Sequence, residues 1–196
     1  MMSKRIINSD DIISNEDYGH IRSVKRKEMI ELKKYRRLDI GPVASIYFES
    51  RDTMIYQIQE MAYVEKITRS ELHEELASYN PLVPNGKELT ATMMIEIDDP
   101  LRRKNFLSRL GGIEEKVKIK IAEHEIYADY EKDVDRTTAD GKASAVHFLH
   151  FKFNDELIEA FKDKNNTVQI GIDHEAYGHL SIVSDRAREE LAKDFI

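Results

Sequence analysis

The chain has 196 residues, 41% of them hydrophobic and 34% charged, and a net charge of −7. A chain of this length buries most of its apolar surface without disulfide or metal staples, so a single domain over residues 1–196 is expected. Cysteine is absent, which excludes disulfides, thiolate zinc sites, Cys-ligated clusters and cysteine nucleophiles, and leaves His, Asp, Glu or main-chain oxygen to hold any metal.

The acidic balance disfavours a nucleic-acid binder. No segment approaches the roughly 20 apolar residues that a membrane helix needs. The stretch "MMSKRIINSDDII" has no long apolar run after its basic residues, so no signal peptide is expected. These features together predict a cytoplasmic protein that does not associate with membranes.

The first predicted element is a basic helix over about 14–37, "SNEDYGHIRSVKRKEMIELKKYRR". Ser14 or Asn15 supplies its cap, acidic residues lie in its first turn and basic ones in its last. Ile21, Val24, Met29, Leu32 and Tyr35 fall on one arc. The remaining surface is cationic, and Arg26, Lys33, Lys34, Arg36 and Arg37 are the candidates for binding a partner. Such a helix is either a solvated face or a docking surface for an acidic partner, RNA or a nucleotide.

The body over 38–196 mixes strands and helices. "LDIGPVASIYFES" reads as a strand after a Gly-Pro turn and "RDTMIYQIQEMAYVEKI" as a helix. "TRSELHEELASYN" is a helix opened by Thr68 or Ser70, and "ELTATMMIEI" is a strand. "DDPLRRKNFLSRLGG" is a short helix with Pro100 in its first turn. "KVKIKIAEHEIYADY" alternates as one long strand or a hairpin. "SAVHFLHFKF" is a strand, "NDELIEAFKD" a capped helix, "TVQIGID" and "HLSIVS" two short strands, and "SDRAREELAKDF" a capped terminal helix. No regular βαβ order appears. The expected class is α+β, with a largely antiparallel sheet and helices packed on it.

Three places carry chemistry-bearing residues. On the strand "AVHFLHFKF", alternation puts His147 with Leu149, Phe151 and Phe153, the apolar side, and His150 on the other. A buried imidazole needs a hydrogen-bond partner or a metal. In "IGIDHEAYGHL", His174 and His179 lie on either side of a turn marked by Gly178 and are candidate metal ligands. The alternative is a hairpin turn in which Asp173 and Tyr177 bond local amides. The helix "MIYQIQEMAYVE" presents one apolar arc and a second face of Tyr56, Gln57, Glu60, Tyr63 and Val64. Glu60 between tyrosines has a raised pKa unless a cation or donors offset the burial, and is a candidate ligand or general base. Glu96 is a second carboxylate of this kind. GxGxxG, GxxxxGK[ST], GxSxG and HExxH are all absent, which removes the commoner nucleotide, esterase and zinc-protease signatures.

"RDTMIYQIQEM", "EELASYNPLVPNGKELTATMMIE", "SAVHFLHF" and "GIDHEAYGH" resemble, in order and spacing, the bacterial family filed as domain of unknown function 3501. The resemblance spans nearly the whole chain. It implies a cytoplasmic single-domain protein with no settled activity. Family genes that neighbour rubrerythrin-like proteins and iron–sulfur oxidoreductases imply a role near peroxide defence or electron transfer. The family pattern falls on Gln57, Glu60, Asn80, Pro81, Glu96, His147, Asp173, His174, Tyr177 and His179. His150 stands where arginine or lysine is expected, and Glu175 where proline is.

The leading expectation is an accessory protein of redox or oxidative-stress metabolism. It would hold iron, manganese or zinc through Glu60, His147, His174 and His179, or a small ligand among Tyr56, Gln57, Glu60, Asn80, Glu96, Asp173 and Tyr177. A second expectation is a non-catalytic interaction subunit that docks an iron–sulfur or ferritin-like partner through the basic helix. A third is a metal-dependent enzyme with Glu60 as base.

Overall fold

The computed structural model describes residues 5–130 and 141–196. Helix α1 spans Asn15–Lys33 and is started by Ser14, whose hydroxyl accepts from the Asp17 amide. It is followed by strands β1 (Arg37–Ile40) and β2 (Ala44–Phe48), then helices α2 (Arg51–Glu65) and α3 (Leu72–Tyr79). Strand β3 (Glu88–Ile95), helix α4 (Pro100–Leu107) and strands β4 (Val117–Ile121), β5 (His124–Tyr127), β6 (Asp129–Tyr130) and β7 (Val146–Lys152) come next. Helix α5 (Asp155–Lys162), strands β8 (Val168–His174) and β9 (Tyr177–Ile182) and helix α6 (Asp185–Leu191) follow.

Among the described residues the strands form two sheets, β1-β2-β3-β7-β6 and β5-β4-β8-β9, with every pairing antiparallel. Period-two alternation explains how they stack. Ile46, Met93 and Leu149 of the first sheet and Ile119, Ile170 and Ile172 of the second point inward and share one core. The opposite face of the first sheet is covered by α2 and α3, with Met54, Ile58, Ala62 and Leu72 packed in a second cluster beside Phe148. The fold is α+β, as the element order predicts.

Two local differences from the sequence reading have physical causes. "LDIGPVASIYFES" supplies two strands, because Gly41 takes φ +70 and turns β1 back onto β2. The turn in "IGIDHEAYGHL" lies at Glu175–Ala176, with His174 opposite Tyr177, and Gly178 sits inside β9 opposite Asp173.

The basic helix departs more. It ends at Lys33, four residues before Arg37, which opens β1. Arg36, expected on a docking face, is instead only 2% exposed. It donates to the carbonyls of Phe48 (3.0 Å) and Glu49 (2.7 Å), pairs with Asp194 and lies 3.5 Å from Glu190. A guanidinium buried and paired in this way is out of a partner's reach. Within α1 itself only Tyr18 is buried. The apolar arc is left largely open: Val24 is 54% exposed, and Ile21 and Tyr35 are exposed as well.

Candidate functional site

Helix α1 lies antiparallel along α2 and is fastened by polar contacts rather than by an apolar seam. Near its start, Asn15 Nδ2 donates to the carbonyls of Ala62 (3.0 Å) and Ile67 (3.3 Å). One turn on, the Tyr18 hydroxyl donates to Glu60 Oε1 at 2.5 Å, and Arg22 reaches Glu60 through Nε (3.0 Å) and Nη2 (2.8 Å). The Arg22 guanidinium lies 5.0 Å from the centre of the Tyr63 ring, and that ring meets Tyr18 edge-on at 5.7 Å. A Cβ at Gly19 would come within 3.3 Å of the Tyr63 ring, so a glycine here lets the two helices approach closely.

These contacts determine how Glu60 titrates. The Arg22 hydrogen bonds, helped by Tyr18, hold its carboxyl below the usual carboxylate range against the opposing effect of burial. The cation and donors that would cancel a raised pKa are therefore both present. Burial pushes the Tyr18 and Tyr56 hydroxyls up, and the neighbouring Glu60 charge adds to this. A carboxylate held ionised by a guanidinium and a phenol is an anchor, with little basicity left for proton abstraction.

Beside this seam runs a trough. A hollow of about 650 Å³ is lined by Gly19, Arg22, Ser23, Arg26, Lys27, Ile30 and Tyr63. A second, of about 630 Å³, continues along Arg26, Met29, Ile30, Lys33, Lys34, Arg37, Asp39 and Tyr56. They share Arg26 and Ile30 and form one surface along the helix pair. Lys34 is paired with Glu31 at 2.6 Å. Among the described residues, Arg26, Lys27 and Lys33 have no carboxylate within ion-pair distance. Ile30, at the junction of the two hollows, is 53% exposed.

A polar cluster closes one end. Arg37 reaches Asp39 (2.9 Å), Glu96 (3.1 Å), the Ser45 hydroxyl (2.9 Å) and the Tyr47 hydroxyl (2.8 Å). The Ser45 hydroxyl, then Arg37 and Tyr47, hold the Glu96 carboxyl below its ordinary range. Of the five partner-binding candidates, Arg26, Lys33 and Lys34 therefore line the trough, Arg37 stands at its end and Arg36 is buried in the interior.

The other candidates lie elsewhere. His147, 1% exposed, sits on the inner face of β7 with Nε2 2.9 Å from the Ser144 carbonyl and Nδ1 3.5 Å from the buried Glu114 carboxylate. His150, on the opposite face, bonds Glu88 at 3.1 Å. His174 Nδ1 accepts from the Ala176 amide (3.1 Å), which leaves Nε2 to donate to the Gly111 carbonyl at 3.3 Å. His179 meets the Tyr177 ring edge-on, ring centres 4.4 Å apart. Asp173 lies 3.4 Å from Lys118. Asn80 exchanges two hydrogen bonds with the Ile7 backbone, at 2.8 and 2.9 Å, and Gln57 is half-buried on α2. Glu60, His147, His174 and His179 thus occupy separate surroundings. Among the described residues no group of three or more His, Asp or Glu could hold a metal ion.

Sequence reasoning missed Gln59, whose buried amide exchanges two hydrogen bonds with the Ile13 backbone (3.0 and 3.1 Å) and straps the N-terminal segment to α2. Its only signal is a polar residue one position away from the polar face of the helix.

A family model described as protein of unknown function (DUF3501) matches residues 6–195. Among solved structures, the chain is similar to a novel protein of unknown function from Burkholderia pseudomallei K96243, at 33% identity and a TM-score of 0.89, over 97% of this chain and 99% of that one. No curated protein matches it. Among the described residues no helix is long and apolar enough to cross a membrane.

Proposed function

We propose, for a chain that belongs to the DUF3501 family, that it is a non-catalytic interaction protein of the cytoplasm that docks an acidic protein partner along α1. The observation that carries this reading is the trough: Arg26, Lys27 and Lys33 stand without carboxylate partners among the described residues, beside exposed Ile30, on a chain whose net charge is −7. Of the eight basic side chains between Arg22 and Arg37, Arg36 is buried and Arg22, Lys25, Lys34 and Arg37 are ion-paired, so Arg26, Lys27 and Lys33 supply the local positive field. A local field opposite in sign to the molecule steers an oppositely charged surface and fixes its orientation.

The sequence reading that ranked metal or small-ligand binding first has less support. Glu60, His147, His174 and His179 have separate partners, and Glu60 already answers to Arg22. The link to redox or oxidative-stress metabolism, and an iron–sulfur or ferritin-like partner, rest on the family resemblance, and the trough adds a surface that such an acidic protein would fit.

The test uses the wild-type chain and an R26E/K33E variant as baits at low and at physiological salt. The captured acidic proteins are then purified and titrated back. The expected result is a partner whose affinity falls about tenfold or more with charge reversal and falls again with salt. Equal binding to both baits would sink the reading.

A further inference from the structure

We infer that the element the trough receives is an acidic amphipathic helix of the partner, laid along the seam between α1 and α2. This inference rests on the docking function proposed above and names the recognition mode. Its first support is what lines the trough. Along Gly19–Lys33 both walls are helices, so their backbone N–H and C=O groups are consumed in intrahelical bonds, and β1 enters at the far end through Arg37 and Asp39. An extended peptide would find no main-chain partners there, as strand addition requires. A helix satisfies its own backbone and needs only side-chain contacts.

The second support is register. Gly19, Arg22, Arg26, Ile30 and Lys33 recur every three or four residues along one stripe of α1. That stripe is about 21 Å long at the 1.5 Å rise of a helix. A third helix of about 14 residues covers it, a common helix length. Carboxylates two turns apart would meet Arg26 and Lys33. Apolar side chains between them would cover Ile30, which is 53% exposed.

The third support concerns the alternative polyanion. Single-stranded nucleic acid needs free aromatic faces for stacking beside its phosphate contacts. Here the Tyr63 ring already carries the Arg22 guanidinium and the Tyr18 edge, which leaves the half-buried Tyr56 as one ring where a strand of stacked bases needs a succession of them. A chain with a net charge of −7 also repels a long polyanion.

The probes are two synthetic peptides of equal composition. One is a helix-forming peptide with glutamates matched to Arg26 and Lys33, leucines between them and two prolines beyond its C-terminal end. The other has the same residues with the two prolines moved to its centre, which breaks the helix. Each is titrated by fluorescence anisotropy against the intact chain and against R26E/K33E, with circular dichroism confirming that the variant folds. The helical peptide is expected to bind, the broken one about tenfold or more weaker, since interior proline costs a helix roughly 3 kcal/mol. R26E/K33E is expected to lose the difference. Equal binding of both peptides by the wild type overturns the helix and leaves acidic docking standing. No binding of either peptide, with tight binding of a single-stranded oligonucleotide, overturns both.

Discussion

The hydroxyl of Tyr177 in β9 donates to the carbonyl of Ile40, 2.5 Å away in the other sheet, and accepts from the amides of Val43 (3.2 Å) and Ala44 (3.1 Å). One phenol thus satisfies three backbone groups of the β1–β2 turn. The neighbouring His179 ring closes over Gly41, where a Cβ would come within 2.6 Å of it at a φ of +70. The polar run "DHEAYGH" is a clamp between the two sheets. Tyr177→Phe should keep the ring packing and strand those groups, at a cost of about 2–4 kcal/mol. Urea denaturation measures it, and a loss below about 1 kcal/mol would mean that the clamp contributes little.

The Glu60 carboxylate fastens α1 to α2 through Arg22 and Tyr18. Glu60→Gln removes the charge and one acceptor, so α1 should detach locally while the sheets stay folded. Hydrogen exchange should rise over residues 15–33 and remain slow in β3 and β7. The same variant separates the anchor from the general base considered for this residue. Unchanged exchange in α1 would overturn the anchor, and loss of a catalytic activity with α1 still docked would restore the base.

Much of this arrangement is legible in the sequence. Alternation places His147 inside, the Ser14, Asn154 and Ser184 caps start their helices, and the two faces of α2 foretell cover on both, which the second apolar cluster and α1 supply. What stays illegible is long-range. Arg36 reads as one more cation in "KKYRR", and nothing local announces that Asp194, 158 residues away, waits for it. The apolar arc of α1 has the right period for burial, yet its docking is set by two residues of α2, and the arc remains exposed. Histidines clustered in sequence also turn to different partners: His174 flanks the turn opposite Tyr177 and reaches the Gly111 carbonyl, while His179 lies opposite Ile172 and meets the Tyr177 ring.

Burial pushes the Asp194 carboxyl up to about 6 even beside Arg36, against an ordinary value of 3.8. Its folded pKa lies above its unfolded one, so between these values the folded chain binds the extra proton. The contribution of this group is fully present below about pH 3.8 and is lost as pH rises through about 6. Asp194→Asn should remove that dependence, flattening the stability profile across this window by up to about 1.4 kcal/mol per pH unit. Superimposable profiles for the variant and the wild type, measured by denaturation at a series of pH values, would show that Asp194 does not titrate there.

Arg36 distinguishes a folding role from a binding role within one run of cations. Its guanidinium joins the start of β1 to the Phe48 and Glu49 carbonyls and to the C-terminal carboxylates. Arg36→Ala leaves Asp194 buried without its cation and two carbonyls without donors, a loss of about 3–5 kcal/mol. Lys33→Ala, on the trough, should change stability by no more than about 0.5 kcal/mol. The two variants should therefore part in opposite directions: Arg36→Ala lowers Tm and, where folded, still binds an acidic helix, whereas Lys33→Ala keeps Tm and binds it less tightly. If Arg36→Ala instead kept its Tm and lost binding, the buried network would not be what holds α1 and β1 to the C-terminal turn, and the guanidinium would belong to the docking face after all.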